Sequence, residues 1–144
     1  MALERGTHLV EDALARGHTG PFQLQAAIAA VHAEATTAAD TDWLQITMLY
    51  RMLHRLTPSP TVALNLAAAI GMAHGPQAGL DALGPLLADP AQRGNHRLHA
   101  TRAHLLELAG RDEPARAAFA LAASLTHSIP EQRYLNAKAA RVSR

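Results

Sequence analysis

An all-α fold built from helix hairpins is what this sequence predicts, and three observations carry the prediction. Apolar residues make up 49% of the 144-residue chain while aromatics are only 3%, and alanine- and leucine-dominated content suits close-packed helices better than a sheet rich in β-branched residues. Glycine and proline punctuate the chain at helix-length intervals, at Gly20-Pro21, Pro58-Ser59-Pro60, Gly75-Pro76 and Gly94. A hairpin signature, Ala103-x6-Gly110-x4-Ala115-x3-Phe119-x2-Ala122, partly recurs 35 residues earlier, where Gly75 and Leu80 match Gly110 and Ala115. Its second half returns as Ile46-x3-Tyr50-x2-Leu53-x4-Pro58.

Small and aromatic residues at such offsets let two antiparallel helices approach closely and let the next pair stack on them, as in tetratricopeptide (TPR) arrays. The expected architecture is a single TPR-like domain over residues 1–144, a right-handed stack of about three antiparallel helix hairpins. The hairpins fall near 21–57, 59–89 and 95–126, with an N-terminal helix near 2–16 and a C-terminal capping helix near 129–142.

Each element has its own signals. Residues 2–16 put Leu3, Leu9, Val10, Ala13 and Leu14 roughly on one face before a stop at Gly17. A helix there without an upstream partner reads as a cap or as the last helix of a preceding part, and the domain reads as excised from a longer protein. Gly20-Pro21 opens a helix through Leu24, Ala27, Ile28 and Val31, ended by the polar stretch Thr36 to Thr41. Asp42, with Gln45 three residues on, forms a capping-box-like pair before the stripe Trp43, Ile46, Leu49, Tyr50 and Leu53. Ser59 caps the next helix, Pro60 takes its first position, and Val62, Leu64, Leu66, Ala69 and Ile70 follow to Gly75. From Pro76 the stripe is Leu80, Leu83 and Leu87, with a break expected at Gly84-Pro85 because Pro85 lacks an amide donor. Gly94-Asn95 restarts the chain into Leu98, Thr101, Leu105 and Leu108. Gly110 turns it, Asp112 caps, and Ala115, Ala118, Phe119, Ala122 and Leu125 return. Ser128-x-x-Glu131 is a capping box before a polar helix ending in Lys138 and Arg141, the kind of helix that solubilises the end of a solenoid.

Charge and chemistry narrow the function. The net charge is +1 with basic residues scattered, so direct DNA binding by this segment is not expected. The absence of cysteine excludes disulfides and thiolate chemistry. Met1 to Val10 lacks an apolar signal region and no stretch of about 18 apolar residues occurs, so a cytoplasmic protein without a membrane span is expected. Nine histidines raise a metal hypothesis, strongest at His96, His99, His104 and Glu107. His96 and His99 share a helix face but His104 points elsewhere, and H-E-x-x-H is missing, so no metal and no cofactor are expected. No nucleophile elbow, Walker loop or dinucleotide fingerprint is present, and an enzyme is not expected. Polar residues on the first helix of each hairpin, which lines the concave face of a TPR-like stack, are the candidate groove: Gln23, Gln25 and His32, then Asn65, then His99 and Arg102. Trp43 and Tyr50 are expected in the core.

The string Gly20-Pro21-Phe22-Gln23-Leu24-Gln25 through Val31-His32-Ala33, then Thr41-Asp42-Trp43, Leu49-Tyr50, Pro58-Ser59-Pro60 and Ala63-Leu64-Asn65, resembles the C-terminal extension of a group of bacterial extracytoplasmic-function (ECF) RNA polymerase sigma factors. His99 to Leu106, Gly110-Arg111, Ala115-x3-Phe119 and Glu131-x-Arg133 continue the resemblance in order, over about residues 10–140. It implies a regulatory, protein-interaction domain acting in transcription initiation, whose partners are its own sigma regions, core RNA polymerase or a regulatory protein. Leu66 stands where the family usually has arginine, and Phe22 where it usually has tyrosine. Without that arginine, carboxylate clamping at this position is lost. A free-standing TPR adaptor, or a small-ligand or peptide sensor with a groove of Gln25, Asn65 and Arg102, is the alternative. Oligomeric state stays open at this stage.

Overall fold

The computed structural model describes residues 20–35 and 41–142. The helix expected near 2–16 lies outside the described residues, as does most of the Thr36 to Thr41 connection. Among the described residues the chain is all-helical: α1 (Pro21–Glu34), α2 (Trp43–Leu56), α3 (Pro60–His74), α4 (Pro76–Ala82), α5 (Gly84–Ala88), a 3-10 turn (Pro90–Gln92), α6 (His96–Leu108), α7 (Asp112–Leu125) and α8 (Ile129–Val142). They divide into two compact units, one ending at Ala73 and the other beginning at His74. The boundary runs through the second expected hairpin, so α3 belongs to unit 1 and α4 and α5 to unit 2.

In unit 1, Pro21 begins α1 at a position where its missing amide costs nothing. The Asp42 carboxylate accepts from the Gln45 N–H at 3.1 Å, and Ser59 Oγ accepts from the Val62 N–H at 3.1 Å, so α2 and α3 start at the expected caps. Leu24, Ala27, Ile28 and Val31 of α1 close over Ile46, Leu49 and Leu53 of α2, with Val62 and Ala69 of α3 completing the core. Leu24, Ile46 and Leu49 are fully buried, each adding roughly 1.5–3 kcal/mol of apolar transfer free energy. Trp43 and Tyr50 are half-buried against this core, on the side that the stripe assigns them.

In unit 2, the run after Pro76 breaks at Leu83, and α5 restarts with Pro85 in its first turn. The break shifts the register, so Leu86 is buried and the expected Leu87 is exposed. Asn95 caps α6 by accepting from the Arg97 N–H at 3.1 Å. Gly110 turns the chain into α7 with φ at +76°, a left-handed conformation that side chains disfavour. Two caps differ from expectation. Arg111 is the N-cap of α7 and Asp112 its first helical residue, so Asp112 acts through its charge near the amide end and not as a cap. At α8, Ser128 Oγ accepts from the Glu131 N–H at 3.3 Å, but the reciprocal bond of a capping box is missing. The Glu131 carboxylate instead accepts from Thr126 Oγ1 at 3.1 Å and pairs with His96 Nε2 at 3.2 Å, while the Ser128 N–H donates to Thr126 Oγ1.

α6 packs on α7, α7 on α8, and α4 on α6. Phe119 is the large side chain of this core, set among Ala103, Leu106, Ala115, Ala118, Ala122 and Leu135. The basic end of α8 is tied to α6: Glu107 receives Lys138 Nζ at 3.2 Å and Arg141 Nη2 at 3.1 Å. Desolvation by itself would raise the Glu107 carboxyl, but the hydrogen bonds and charges of Arg141 and Lys138 outweigh it and hold it below the ordinary glutamate range.

Candidate functional site: a polar-walled pocket in unit 1

A half-open pocket of about 390 Å³ lies in unit 1 between α1, α2 and α3. α1 supplies Gln25, Ala29 and His32, an i, i+4, i+7 row beside the buried row Leu24, Ile28 and Val31. α3 supplies Thr61 and Asn65, one turn apart, and α2 supplies Tyr50. Ile28, Leu53 and Val62 form the apolar floor, and all three belong to the core of the unit. The floor is fixed by packing, and the polar rim stands on three regular helices.

Three of the six residues that sequence reasoning selects as groove-facing, Gln25, His32 and Asn65, share this pocket. The other three are elsewhere. Gln23 is exposed and curls back toward the start of α1, its Oε1 2.6 Å from where a Cβ on Gly20 would stand. His99 belongs to unit 2, where its Nε2 lies 2.9 Å from the Arg93 carbonyl oxygen, so its ring secures the turn before α6. Arg102 is half-buried on α6, also in unit 2, and does not line the pocket. Two lining residues escaped the sequence reading. Tyr50 was legible only as core, and Thr61 precedes Asn65 by four residues, a spacing that marks one helix face.

The electrostatics are simple, because none of the described lining residues is an acid, a lysine or an arginine. Burial pushes the Tyr50 phenol up from its ordinary value, so it stays a neutral hydroxyl. Among the described residues, the polar side-chain groups of Gln25, Tyr50, Thr61 and Asn65 make no hydrogen bond to another residue. The His32 ring is oriented by an edge-to-face contact with Trp43, with centroids 5.5 Å apart and an interplanar angle of 81°.

The histidines that raise a metal hypothesis serve other contacts. His96 faces Glu131 across 3.2 Å and His99 the Arg93 carbonyl. Desolvation, and secondarily the Lys138 ammonium, hold the His104 imidazole below the ordinary histidine range, with Glu107 opposing them. Among the described residues no three metal-ligating side chains gather, and no helix is long and apolar enough to cross a membrane.

No family model matches the chain, and no solved structure matches it. The chain is similar to an uncharacterized protein of Rhizobium meliloti, 40% identical over 127 residues, which is 88% of this chain. It spans about 30% of the length of that curated relative.

Proposed function

We propose that this chain is the regulatory, protein-interaction domain of an ECF-type sigma factor, acting in transcription initiation in the cytoplasm through its own sigma regions, core RNA polymerase or a regulatory protein. In this reading the helices continue a TPR-like, right-handed stack, and the first helix of each hairpin faces the partner. The observation that carries the binding role is the pocket of unit 1. There, Gln25, His32 and Asn65, all on first helices, stand together over an apolar floor, their hydrogen-bonding capacity unspent among the described residues. Surface polar groups are usually satisfied by water, but a concave cluster on rigid helices is already organised for a ligand and loses little entropy on binding. The sigma-factor setting rests on the strings Gly20 to Ala33 and Pro58 to Asn65. A relative much longer than this chain leaves room for the regions that such a domain would serve.

The test is a calorimetric titration of the chain against purified sigma regions of the kind that precede such extensions, and separately against core RNA polymerase. Saturable one-to-one binding, weakened about 10-fold or more by Asn65→Ala, is expected for one of them. Absence of binding to both at about 100 μM would refute a contact with the sigma regions or core RNA polymerase and leave a separate regulatory protein as the partner to be tested.

A further inference from the structure

We propose that the unit 1 pocket is a site for a small, uncharged, planar molecule with an amide-like edge, a donor beside an acceptor. The inference rests on reading this pocket as a binding face but not on the sigma-factor partner. Charge is the first argument. With no acid, lysine or arginine among the described residues of its walls, the pocket offers an ionised ligand no permanent counter-charge to offset lost hydration, so it selects against carboxylates and ammonium groups.

The chemistry of the rim is the second argument. Gln25 and Asn65 each present a carbonyl acceptor and an NH2 donor side by side. The group that satisfies both atoms of a carboxamide is another amide, a lactam or the edge of a nucleobase, the pairing that Asn and Gln use on an adenine edge. Neither carboxamide is spent on a hydrogen bond to another residue among the described residues. The Tyr50 hydroxyl and Thr61 add two further unspent donor-acceptor groups.

Shape is the third. Gln25 and His32 are seven positions apart on α1, about 10 Å along the axis at the rise of an α-helix. An extended peptide would overrun that length after about three residues at roughly 3.3 Å each, whereas a one- or two-ring heterocycle fits within it. The 390 Å³ volume lies within the range of small-molecule sites. The Tyr50 and His32 rings and the fixed floor of Ile28, Leu53 and Val62 provide flat apolar contact for the faces of such a ring.

The experiment is an amide and side-chain NH2 NMR titration of the isotopically labelled full chain, alone, with three matched probes. Nicotinamide carries a neutral ring and a carboxamide; nicotinate replaces the amide by a carboxylate; 3-acetylpyridine keeps the acceptor but loses the donor. The expected result is saturable shifts of the Gln25 and Asn65 side-chain resonances with nicotinamide, at a dissociation constant of about a few millimolar, the scale for so few atoms. Nicotinate should bind at least about 10-fold more weakly and 3-acetylpyridine several-fold more weakly, since the protein carbonyl acceptor that each leaves unpaired is costly to desolvate. Asn65→Leu, at an exposed position, should lower nicotinamide affinity about 10-fold with an unchanged melting midpoint. Gln25→Leu, also exposed, is the second variant should the first unfold. Equal binding of nicotinamide and nicotinate, shifts that map outside the pocket, or no shifts at about 20 mM, well above a fragment's expected dissociation constant, would overturn the proposal. Because no partner is present, that failure leaves the partner reading to its own titration.

Discussion

Replacing Phe119 by alanine tests the packing of unit 2 most directly. The ring is 2% exposed and belongs to a core cluster made chiefly of alanines, Ala103, Ala115, Ala118, Ala122 and Ala123, with Leu106 and Leu135. Alanines have no rotamers with which to fill a void, so the site collapses poorly and the cost belongs in the upper part of the range for Phe→Ala, about 4–5 kcal/mol. Lys138 Nζ lies 5.5 Å from the ring centroid, and its cation–π attraction, about 0.5–1 kcal/mol at a partly exposed site, is lost as well. A unit of this size is stable by only about 4–10 kcal/mol on per-residue grounds, so the variant should be marginal. Urea unfolding followed by far-UV circular dichroism and by amide exchange in α7 should show the lost protection. Trp43, the only tryptophan, reports unit 1 by fluorescence. Phe119→Leu should cost less, about 1–2 kcal/mol, because most of the volume remains. An unchanged midpoint in Phe119→Ala would refute the argument that this ring is the keystone of an alanine-lined core.

Three further perturbations separate other causes. Gly110→Ala should cost about 1–2 kcal/mol, read from the denaturation midpoint; a Cβ there meets nothing within 4 Å, so the penalty is that of φ at +76° alone. Glu107→Gln should cost about 0.5–1 kcal/mol at pH 7 by releasing Lys138 and Arg141. Because its folded pKa is depressed, the Glu107 contribution is complete above its ordinary 4.5 and fades as pH falls through the lower folded value, so the variant should flatten the acid limb of a stability-pH curve. His104 also has a depressed folded pKa, so stability should decline as pH falls from 6.5 through that lower value; His104→Gln should shrink that slope, and an identical slope would refute the assignment.

Much of the fold was legible because helix ends are written in local chemistry. Asp42 with Gln45 and Ser59 with Pro60 each state a cap within three residues, and Gly110 states a turn by its backbone alone. What misled at the helix ends was a residue with two uses. Asp112 reads as a cap, yet one residue of register makes it the first helical position. Glu131 reads as half of a capping box, yet His96 and Thr126, remote from it in sequence or outside the motif, claim its carboxylate. Lys138 and Arg141 read as a solubilising terminus, yet Glu107, some thirty positions earlier, holds both. Long-range pairs of this kind are invisible to spacing rules, because exposed charges at i, i+3 and i, i+4 are all that such rules compare.

The site divides along the same line. Gln25, His32 and Asn65 could be chosen from sequence because a polar residue flanking a buried helical stripe must face a groove, a neighbour or water, and first helices of stacked hairpins face the groove. That rule ranks positions by helix and not by distance, so it also drew in His99 and Arg102, which belong to the other unit. It missed Tyr50 because an aromatic on a stripe packs in the core whether or not its hydroxyl reaches a cavity, and both hold here. The property that gives the pocket its selectivity is the lack, among the described residues, of any lysine, arginine or carboxylate around four unspent polar groups. That property belongs to the pocket and not to any residue in it. It appears only when three helices have been brought together, and it is why a matched neutral and anionic pair of probes is a sharper instrument on this protein than any single substitution.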